Sequence, residues 1–224
     1  MNRFYVLPKK TQWFYAILLI SIGVLVELAW LAYMALGGWW TIVLLWPIIS
    51  ILQFTSTPIF RLTGTYKYYS PMLLVFNPNE EVYDLHNGTT FDYWYVMKWK
   101  DRGIKAKHQI LAYYMEGFLK IIEEIEEGIL PETVKIVGTS YFFSEATAKR
   151  LGFEITKPSS FYVLNIYANY LDLVGLYSYS EGRFALPSIK DIKKVEITGA
   201  DFVKNKAYYQ KLYNFLSRVE NETA

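Results

Sequence analysis

Hydrophobic positions along this chain follow two patterns, and the change between them comes near residue 60. Residues 13–36 and 39–60 are almost continuously apolar. Each stretch is long enough, as a helix, to cross a hydrocarbon core of about 30 Å. Only Gly37 and Gly38 separate the two stretches. The pattern therefore predicts a transmembrane helical hairpin over residues 13–60.

After residue 70 the hydrophobic positions show the periods of ordinary strands and helices. Strand-like runs lie at residues 72–76, 81–86, 133–137, 153–156 and 194–198. Helical patterns lie at residues 89–100, 105–127, 144–152, 160–180 and 200–219. The turn sequence between the first two strands predicts a β-hairpin. Alternation of strands and helices over the rest predicts a mixed sheet with helices packed on it.

These patterns divide the chain into four parts and define a membrane-anchored α/β fold. An N-terminal segment (1–12) precedes the hairpin (13–60), a juxtamembrane connector (61–70) follows it, and an α/β domain (71–224) completes the chain. The connector is too short for a flexible tether. We therefore expect the α/β domain to lie against the membrane surface.

The distribution of charge predicts the orientation of the hairpin. Residues 1–69 hold five basic residues and one acid, and the remainder holds 18 basic and 20 acidic residues. The basic residues of the first part flank the outer ends of the hairpin, and its turn has none. By the positive-inside bias, both termini are expected in the cytoplasm. The expected location is the plasma membrane of a bacterium.

The composition excludes several kinds of chemistry. The chain has no cysteine, so disulfides, thiolate metal sites and thiol nucleophiles are excluded. It has only two histidines. The sequence predicts no metal site and no cofactor.

Glu27 is the only acid inside the predicted hairpin. A carboxyl group at that depth needs a polar partner. An antiparallel hairpin places it opposite Ile48, where Pro47 leaves the carbonyl of Val43 without a donor, and Ser50 is a second candidate partner. The favoured interpretation is a hydrogen bond between helices, within the hairpin or between protomers. The alternative is a proton or ion relay.

Asp84 and His86 stand on one face of a predicted strand, because side chains alternate along it. An acid beside a histidine can orient a general base or supply metal ligands. The favoured interpretation is that His86 stabilises the turn that follows.

Gly138, Thr139 and Ser140 follow a predicted strand and lead towards a helix. Backbone amides of such a turn can hold an anion, and Ser140 is a weak candidate nucleophile. The Gly-x-Ser-x-Gly and phosphate-loop spacings are missing. An ordinary strand-to-helix connection is favoured.

The segment Thr147-Ala148-Lys149-Arg150-Leu151-Gly152-Phe153 resembles the last helix-to-strand step of GNAT-type acyltransferases, which commonly ends in Gly-Phe. The coenzyme A loop of that family is missing from this chain. A glycine that closes a helix before a strand gives the same sequence. The resemblance therefore implies no catalytic residue and no coenzyme A.

A basic cluster is interleaved with aromatic residues just after the first predicted helix of the domain. Its members are Lys98, Lys100, Arg102, Lys105 and Lys107, next to Trp94, Tyr95 and Trp99. In a domain held near a membrane, anionic lipid is a closer polyanion than nucleic acid. The sequence predicts a lipid-facing surface here, with a solvated loop as the alternative.

The helix predicted at residues 160–180 is apolar and aromatic apart from one polar stripe. Asn165, Asn169 and Asp172 recur at steps of four and three residues, which places them on one side of a helix. These groups argue against a third membrane span. The helix is expected either in the domain core or in the membrane interface.

Three functions are consistent with these features. The first is a non-enzymatic membrane-anchored module that binds a protein partner or assembles through its hairpin, without nucleic acid. The second is a membrane-bound transferase or hydrolase acting on an anionic or lipid-linked substrate through Asp84, His86 and residues 138–140. The third is an ion or proton conduit formed by several hairpins around Glu27.

Overall fold

The hydrophobic N-terminal region folds into two antiparallel helices in a computed structural model that describes residues 2–140, 145–188 and 193–222. Helix α1 spans Lys9–Ala35. The chain turns at Gly37 (φ +99°) and continues through a 3₁₀ segment, Trp39–Leu44, into α2, Leu45–Leu62. By length and composition, both arms are able to cross a membrane.

Close packing in the hairpin depends on Gly23. A Cβ atom at this position would lie 2.2 Å from Oγ1 of Thr55 on α2. Near the turn, the indole N–H of Trp30 donates to the carbonyl of Thr41 at 3.1 Å. Only 11% of the most apolar window of α1 and 28% of that of the second arm, Trp39–Leu62, is buried. Most apolar side chains of the hairpin therefore face outward.

The rest of the chain forms an α/β domain around a six-stranded sheet. The strands are β1 (Tyr66–Ser70), β2 (Leu73–Phe76), β3 (Val82–Asn87), β4 (Lys135–Ser140), β5 (Glu154–Thr156) and β6 (Lys193–Thr198). The helices are α3 (Thr90–Val96), α4 (Ile104–Glu126), α5 (Glu145–Arg150), α6 (Ser160–Ala168), α7 (Tyr170–Glu181), α8 (Gly199–Lys204) and α9 (Lys206–Glu222). Short 3₁₀ helices lie at Arg3–Val6 and Trp99–Asp101.

The sheet is mixed, as the sequence predicts. Its order is β1-β2-β3-β4-β6-β5, in which only β3 and β4 pair in parallel. The expected hairpin of β2 and β3 pairs Leu73 with Asn87 and Phe76 with Asp84. Strand β1 lies inside the segment predicted as a connector, because its tyrosines suit a strand and pair with β2. The sheet therefore begins four residues after the end of α2 rather than after residue 70.

Helix α4 packs on the sheet and forms the centre of the domain core. Met115, Ile121 and Ile122 are fully buried on it. An aromatic cluster joins Phe118 of α4 to Phe202 at 5.1 Å and to Tyr209 at 5.4 Å, measured between ring centroids. The predicted amphipathic helix at residues 105–127 is thus confirmed, and its apolar positions are the ones that are buried.

Two predicted helices are broken in the structure. The helix expected at residues 160–180 divides into α6 and α7 at Asn169, and the last one divides into α8 and α9 at Asn205. Both asparagines have ψ near 0°, outside helical values. Asparagine competes with helix formation through hydrogen bonds from its own side chain, and this explains both breaks.

A buried polar cluster joins the hairpin to the α/β domain, and we call it the junction network (Asn2, Tyr5, Arg61, Tyr68, Thr89 and Asp92). Asp92 accepts from Nδ2 of Asn2 at 3.0 Å and from Oη of Tyr68 at 2.6 Å. It also accepts from the backbone N–H and the hydroxyl of Thr89, which completes the predicted capping box of α3. The junction network therefore ties the N-terminal segment, β1 and α3 together.

Arg61, in the last turn of α2, extends the junction network into the hairpin. Its guanidinium carbon lies 3.7 Å from the ring centre of Tyr5 and 4.2 Å from that of Tyr68. Burial raises the pKa of Asp92, although the hydrogen bonds from Tyr68 and Thr89 and the charge of Arg61 act in the opposite direction. The two halves of the molecule are thus held by specific polar contacts rather than by a loose connector.

Candidate functional site

A polar cleft lies where α2, the end of β3 and the α6–α7 break meet. Two adjoining cavities form it: one of about 150 Å³ that reaches the core residue Phe118, which we call the inner cavity, and one of about 280 Å³ beside Asp84, which we call the outer cavity. Six residues line both cavities: Gln53, His86, Asn87, Thr89, Asn165 and Asn169. All six are polar, and they come from three separate segments of the chain, whereas the other residues that line the inner cavity are mostly apolar. We call the two cavities together the polar cleft.

Asp84 and His86 lie together at the outer cavity, as the alternation of side chains predicts. Nε2 of His86 lies 3.1 Å from Oδ2 of Asp84, but the two atoms are not in hydrogen-bonding geometry. Asp84 has a hydrogen-bond partner in Tyr162 of α6, and the ring of Phe76 stands edge-on to the imidazole, 6.2 Å away. The pair is therefore set between a phenol and an aromatic ring.

Several buried polar atoms around the polar cleft have no hydrogen-bond partner. They are Oε1 of Gln53, Oδ1 of Asp84, Nε2 of His86, Oδ1 of Asn87 and Oδ2 of Asp172. Leaving a buried polar atom unpaired costs about 1–3 kcal/mol. Native structures contain few such atoms, so the five around this cleft mark a place where another polar molecule can form hydrogen bonds.

The polar stripe of the broken helix faces this cleft. Asn165 and Asn169 line both cavities, and Asp172 lines the inner one. One carboxylate oxygen of Asp172 accepts from the hydroxyl of Thr90 at 2.7 Å, and Ser50 of α2 also bonds this side chain. The stripe thus closes the cleft on the side away from the sheet.

Gly138, Thr139 and Ser140 do not form the turn that the sequence predicts. They are the last three residues of β4, paired with Val195, Lys194 and Lys193 of β6. Strand pairing thus determines their backbone geometry, and the connection that follows them, residues 141–144 with the predicted cap at Ser144, lies outside the described residues. Gly138 and Thr139 line the inner cavity, while the side chain of Ser140 lies outside what the structure describes.

Glu27 and Ser50 are not partners. Glu27 is half-buried, and among the described residues it makes no hydrogen bond or ion pair. Ser50 bonds Asp172 of the α/β domain instead. Pro47 stands in the first turn of α2. Residues of a first turn have no α-helical acceptor for their N–H, so the proline there interrupts no hydrogen bond within α2.

The basic cluster is mostly exposed. Lys98, Lys100, Arg102 and Lys105 are exposed, whereas Lys107 pairs with Glu181 at 2.6 Å. Trp94 and Trp99 beside them are 60% and 70% exposed. Arg3, six residues before α1, donates to the carbonyls of Trp94 and Tyr95. This contact places the aromatic part of the cluster next to the base of the hairpin.

The segment that resembles the acyltransferase step has a purely structural explanation. Helix α5 is closed by Gly152, two residues after its end, at φ +83°, and the N–H of Gly152 and of Phe153 donate to carbonyls of α5. This is the glycine-closed helix end that the sequence also suggested. Comparisons with family models, curated proteins and solved structures gave no match for the chain.

Sequence reasoning missed several residues of the polar cleft. The sequence predicts Gln53 only as part of a membrane-spanning helix, and it indicates no site role for Tyr162 or Asn87. The polar stripe of Asn165, Asn169 and Asp172 was the one available signal, because polar groups on a single side of an apolar helix need partners. The position of those partners depends on how α7 packs against α2.

Proposed function

We propose that this chain is a membrane-anchored binding protein whose polar cleft takes the polar group of a molecule resident in the membrane. The hairpin would span the bilayer with both termini in the cytoplasm, as the flanking basic residues favour. The outward-facing apolar side chains of α1 and α2 support insertion, because core helices of soluble proteins bury such residues.

The observation that carries this proposal is the set of unpartnered polar atoms around a cleft that borders α2. One wall of the cleft is a helix that would lie in lipid, since Gln53 belongs to α2. The other walls belong to the α/β domain. A molecule with its tail in the bilayer could therefore place its polar end among these atoms.

The unpartnered atoms also limit the chemistry of the ligand. Four of the five are oxygens that accept hydrogen bonds, two of them on the carboxyl groups of Asp84 and Asp172. Among the described residues that line the two cavities, none is lysine or arginine. The cleft therefore suits hydroxyl or amine donors. This argues against the anionic substrate that the sequence suggested as one alternative.

The exposed part of the basic cluster supports contact of the α/β domain with the same membrane. Each basic side chain near an anionic surface contributes about 1 kcal/mol to binding.

This contact is tested on the full chain in lipid nanodiscs, with a solvent-sensitive dye attached to the cysteine of Trp99→Cys. We expect a blue shift with anionic lipid that salt reverses, and equal spectra in neutral and anionic lipid would contradict it.

The binding function is tested by what the full chain retains on purification in mild detergent. Bound amphiphiles are extracted from the wild type, from Gln53→Met and Asp84→Asn, and from the exposed control Glu123→Gln, and are identified by mass spectrometry. We expect one species without a phosphate group in the wild type and the control, lost from both cleft variants. The same lipids at the same ratio in all four proteins would refute binding in the cleft.

A second candidate function, a membrane-bound hydrolase or transferase, is favoured by one observation. Asp84 stands 3.1 Å from His86, and the imidazole lines both cavities. A histidine beside a carboxylate is the arrangement of a general base. Lipid profiles of cells that express the wild type or His86→Gln test it. A species that only the wild type depletes would support the enzyme, and identical profiles would refute it.

A further inference from the structure

The inner cavity of the polar cleft is polar at one end only. The six polar residues that line both cavities stand where the two cavities join. Most of the other described residues that line the inner cavity are apolar, and five of them are buried in the domain core: Leu73, Phe118, Ala148, Phe153 and Val195. We call this part of the inner cavity the apolar chamber. A ligand that passes the polar residues therefore reaches a space with apolar walls.

The walls of the apolar chamber come from both the sheet and the helices. Leu73 belongs to β2 and Val195 to β6, while Phe118 belongs to α4 and Ala148 to α5. The rings of Phe118 and Phe153 lie 6.0 Å apart, measured between their centroids. Phe118 also packs in the aromatic cluster of α4 described above, and these contacts hold its ring in place. The chamber thus has fixed walls on several sides.

The volume of the inner cavity suits a short hydrocarbon group. This cavity measures about 150 Å³. An apolar cavity of about 150 Å³ stays dry and binds benzene, a molecule of about the size of a six-carbon chain. Water is a poor occupant of the apolar chamber, because a buried water needs about two to four polar partners.

Hydrogen-bonding atoms at the entrance of the chamber select the polar part of the same ligand. Oε1 of Gln53, Oδ1 of Asn87 and Oδ2 of Asp172 are buried acceptors without a partner, and all three residues line the inner cavity. Among the described residues that line this cavity, none is lysine or arginine. A carboxylate or phosphate placed there would lack a cation, whereas a hydroxyl or an amine supplies the missing donors.

We propose that the apolar chamber takes an aliphatic group of up to about six carbon atoms, joined to the hydroxyl or amine that binds in the polar cleft. The ligand is then an amphiphile whose hydroxyl or amine lies between two apolar parts. The longer part stays in the bilayer beside α2, and the short part contacts Phe118 and Phe153. This inference rests on the function proposed above, and it adds that the length of the short part determines which ligand is accepted.

Methyl NMR of the full chain in mild detergent tests the apolar chamber. The probes are the straight-chain alcohols from ethanol to n-octanol, together with hexylamine and hexanoate. Isotope-labelled methyl groups of Leu73, Leu176 and Val195 report on the inner cavity, which all three residues line. Leu25 of α1, which is 65% exposed, reports on probe that only dissolves around the hairpin.

In the wild type we expect saturable shifts of the three chamber residues. The Kd should fall about fourfold for each methylene up to n-hexanol, because each buried methylene contributes a similar transfer free energy. It should fall no further at n-octanol. Hexylamine should bind like n-hexanol, and hexanoate at least about tenfold more weakly. Equal binding of hexanoate and n-hexanol, or shifts at Leu25 without shifts in the chamber, would overturn the proposal.

Ala148→Leu fills the apolar chamber and keeps its polar entrance. Ala146→Leu, at an exposed position of the same helix, is the matched control. We expect Ala148→Leu to weaken the binding of n-hexanol by about tenfold or more, since its side chain occupies the place of the alkyl group. The control should bind like the wild type. Equal Kd values for the two variants would refute the chamber, and the chain-length limit of the wild type tests it without any variant.

The chamber and the membrane ligand can fail separately. If the purified wild type retains the expected amphiphile while no alcohol shifts the chamber residues, the chamber is overturned and binding in the polar cleft remains. If the alcohols bind as expected while the purified chain retains no distinct amphiphile, the membrane ligand is overturned and the chamber remains.

Discussion

The junction network and the polar cleft differ in how well the hydrogen bonds of their carboxyl groups are satisfied. In the junction network, both carboxylate oxygens of Asp92 accept hydrogen bonds. In the polar cleft, Asp84 and Asp172 each keep one buried oxygen without a partner. A fully bonded carboxylate stabilises one arrangement of the chain, whereas one with an open oxygen retains hydrogen-bonding capacity. Elsewhere in the junction network, Oη of Tyr5 and Nη1 of Arg61 are also buried without a hydrogen-bond partner.

The largest effect is expected from Asp92→Ala, which breaks the junction network. The change leaves the donors of Asn2, Tyr68 and Thr89 unpaired in a buried place. Loss of one partner from such a network costs about 3–5 kcal/mol. Chemical unfolding in detergent measures it, with exposed Glu123→Ala on α4 as the control. Equal midpoints for the two variants would show that the network does not hold the fold.

Arg61→Met is expected to cost less, about 2 kcal/mol, because it removes a partly buried cation from two tyrosine rings. Methionine keeps much of the apolar stem, so the loss reports on the guanidinium group. The exposed Arg102→Met serves as the matched control in the same unfolding assay. A loss of unfolding free energy no larger than that of the control would show that Arg61 does not stabilise the junction network.

The raised pKa of Asp92 predicts a smaller effect that depends on pH. The folded protein holds the proton more tightly than an unfolded chain, in which the pKa is near 3.8. The stabilisation is therefore complete below that pH and is lost as pH rises through the raised value. Relative to Asp92→Asn, the wild type should lose unfolding free energy as pH rises above about 4. A constant difference between pH 4 and pH 8 would contradict burial as the cause.

A substitution in the polar cleft is expected to change the free energy of unfolding least, and to raise it rather than lower it. Gln53→Met removes an unpartnered oxygen at nearly constant volume, so it should stabilise the ligand-free protein by up to about 1 kcal/mol. The same variant should lose the bound amphiphile. Gly175→Ala on α7, where a Cβ meets nothing within 4 Å, is a control for changes on this side. Destabilisation by Gln53→Met would mean that the cleft is structural.

Local sequence patterns were sufficient for the elements of this fold that depend on neighbouring residues. The period of apolar positions predicted α4, the spacing of Thr89 and Asp92 predicted the cap of α3, and the turn sequence predicted the pairing of β2 with β3. The shared face of Asp84 and His86 followed from strand alternation. Each of these results is fixed by contacts within a few residues or across one turn.

Tertiary structure decided the contacts between segments far apart in the chain. Residues 66–70 became a strand because β2 offered a free edge, and residues 138–140 joined β4 because β6 pairs along its full length. Ser50 contacts Asp172 rather than Glu27 because α7 packs against α2. The sequence determined which residues are apolar, polar or charged and how they repeat. The polar cleft arises only from packing, because its walls come from segments about 30 to 80 residues apart, whose distances no local pattern encodes.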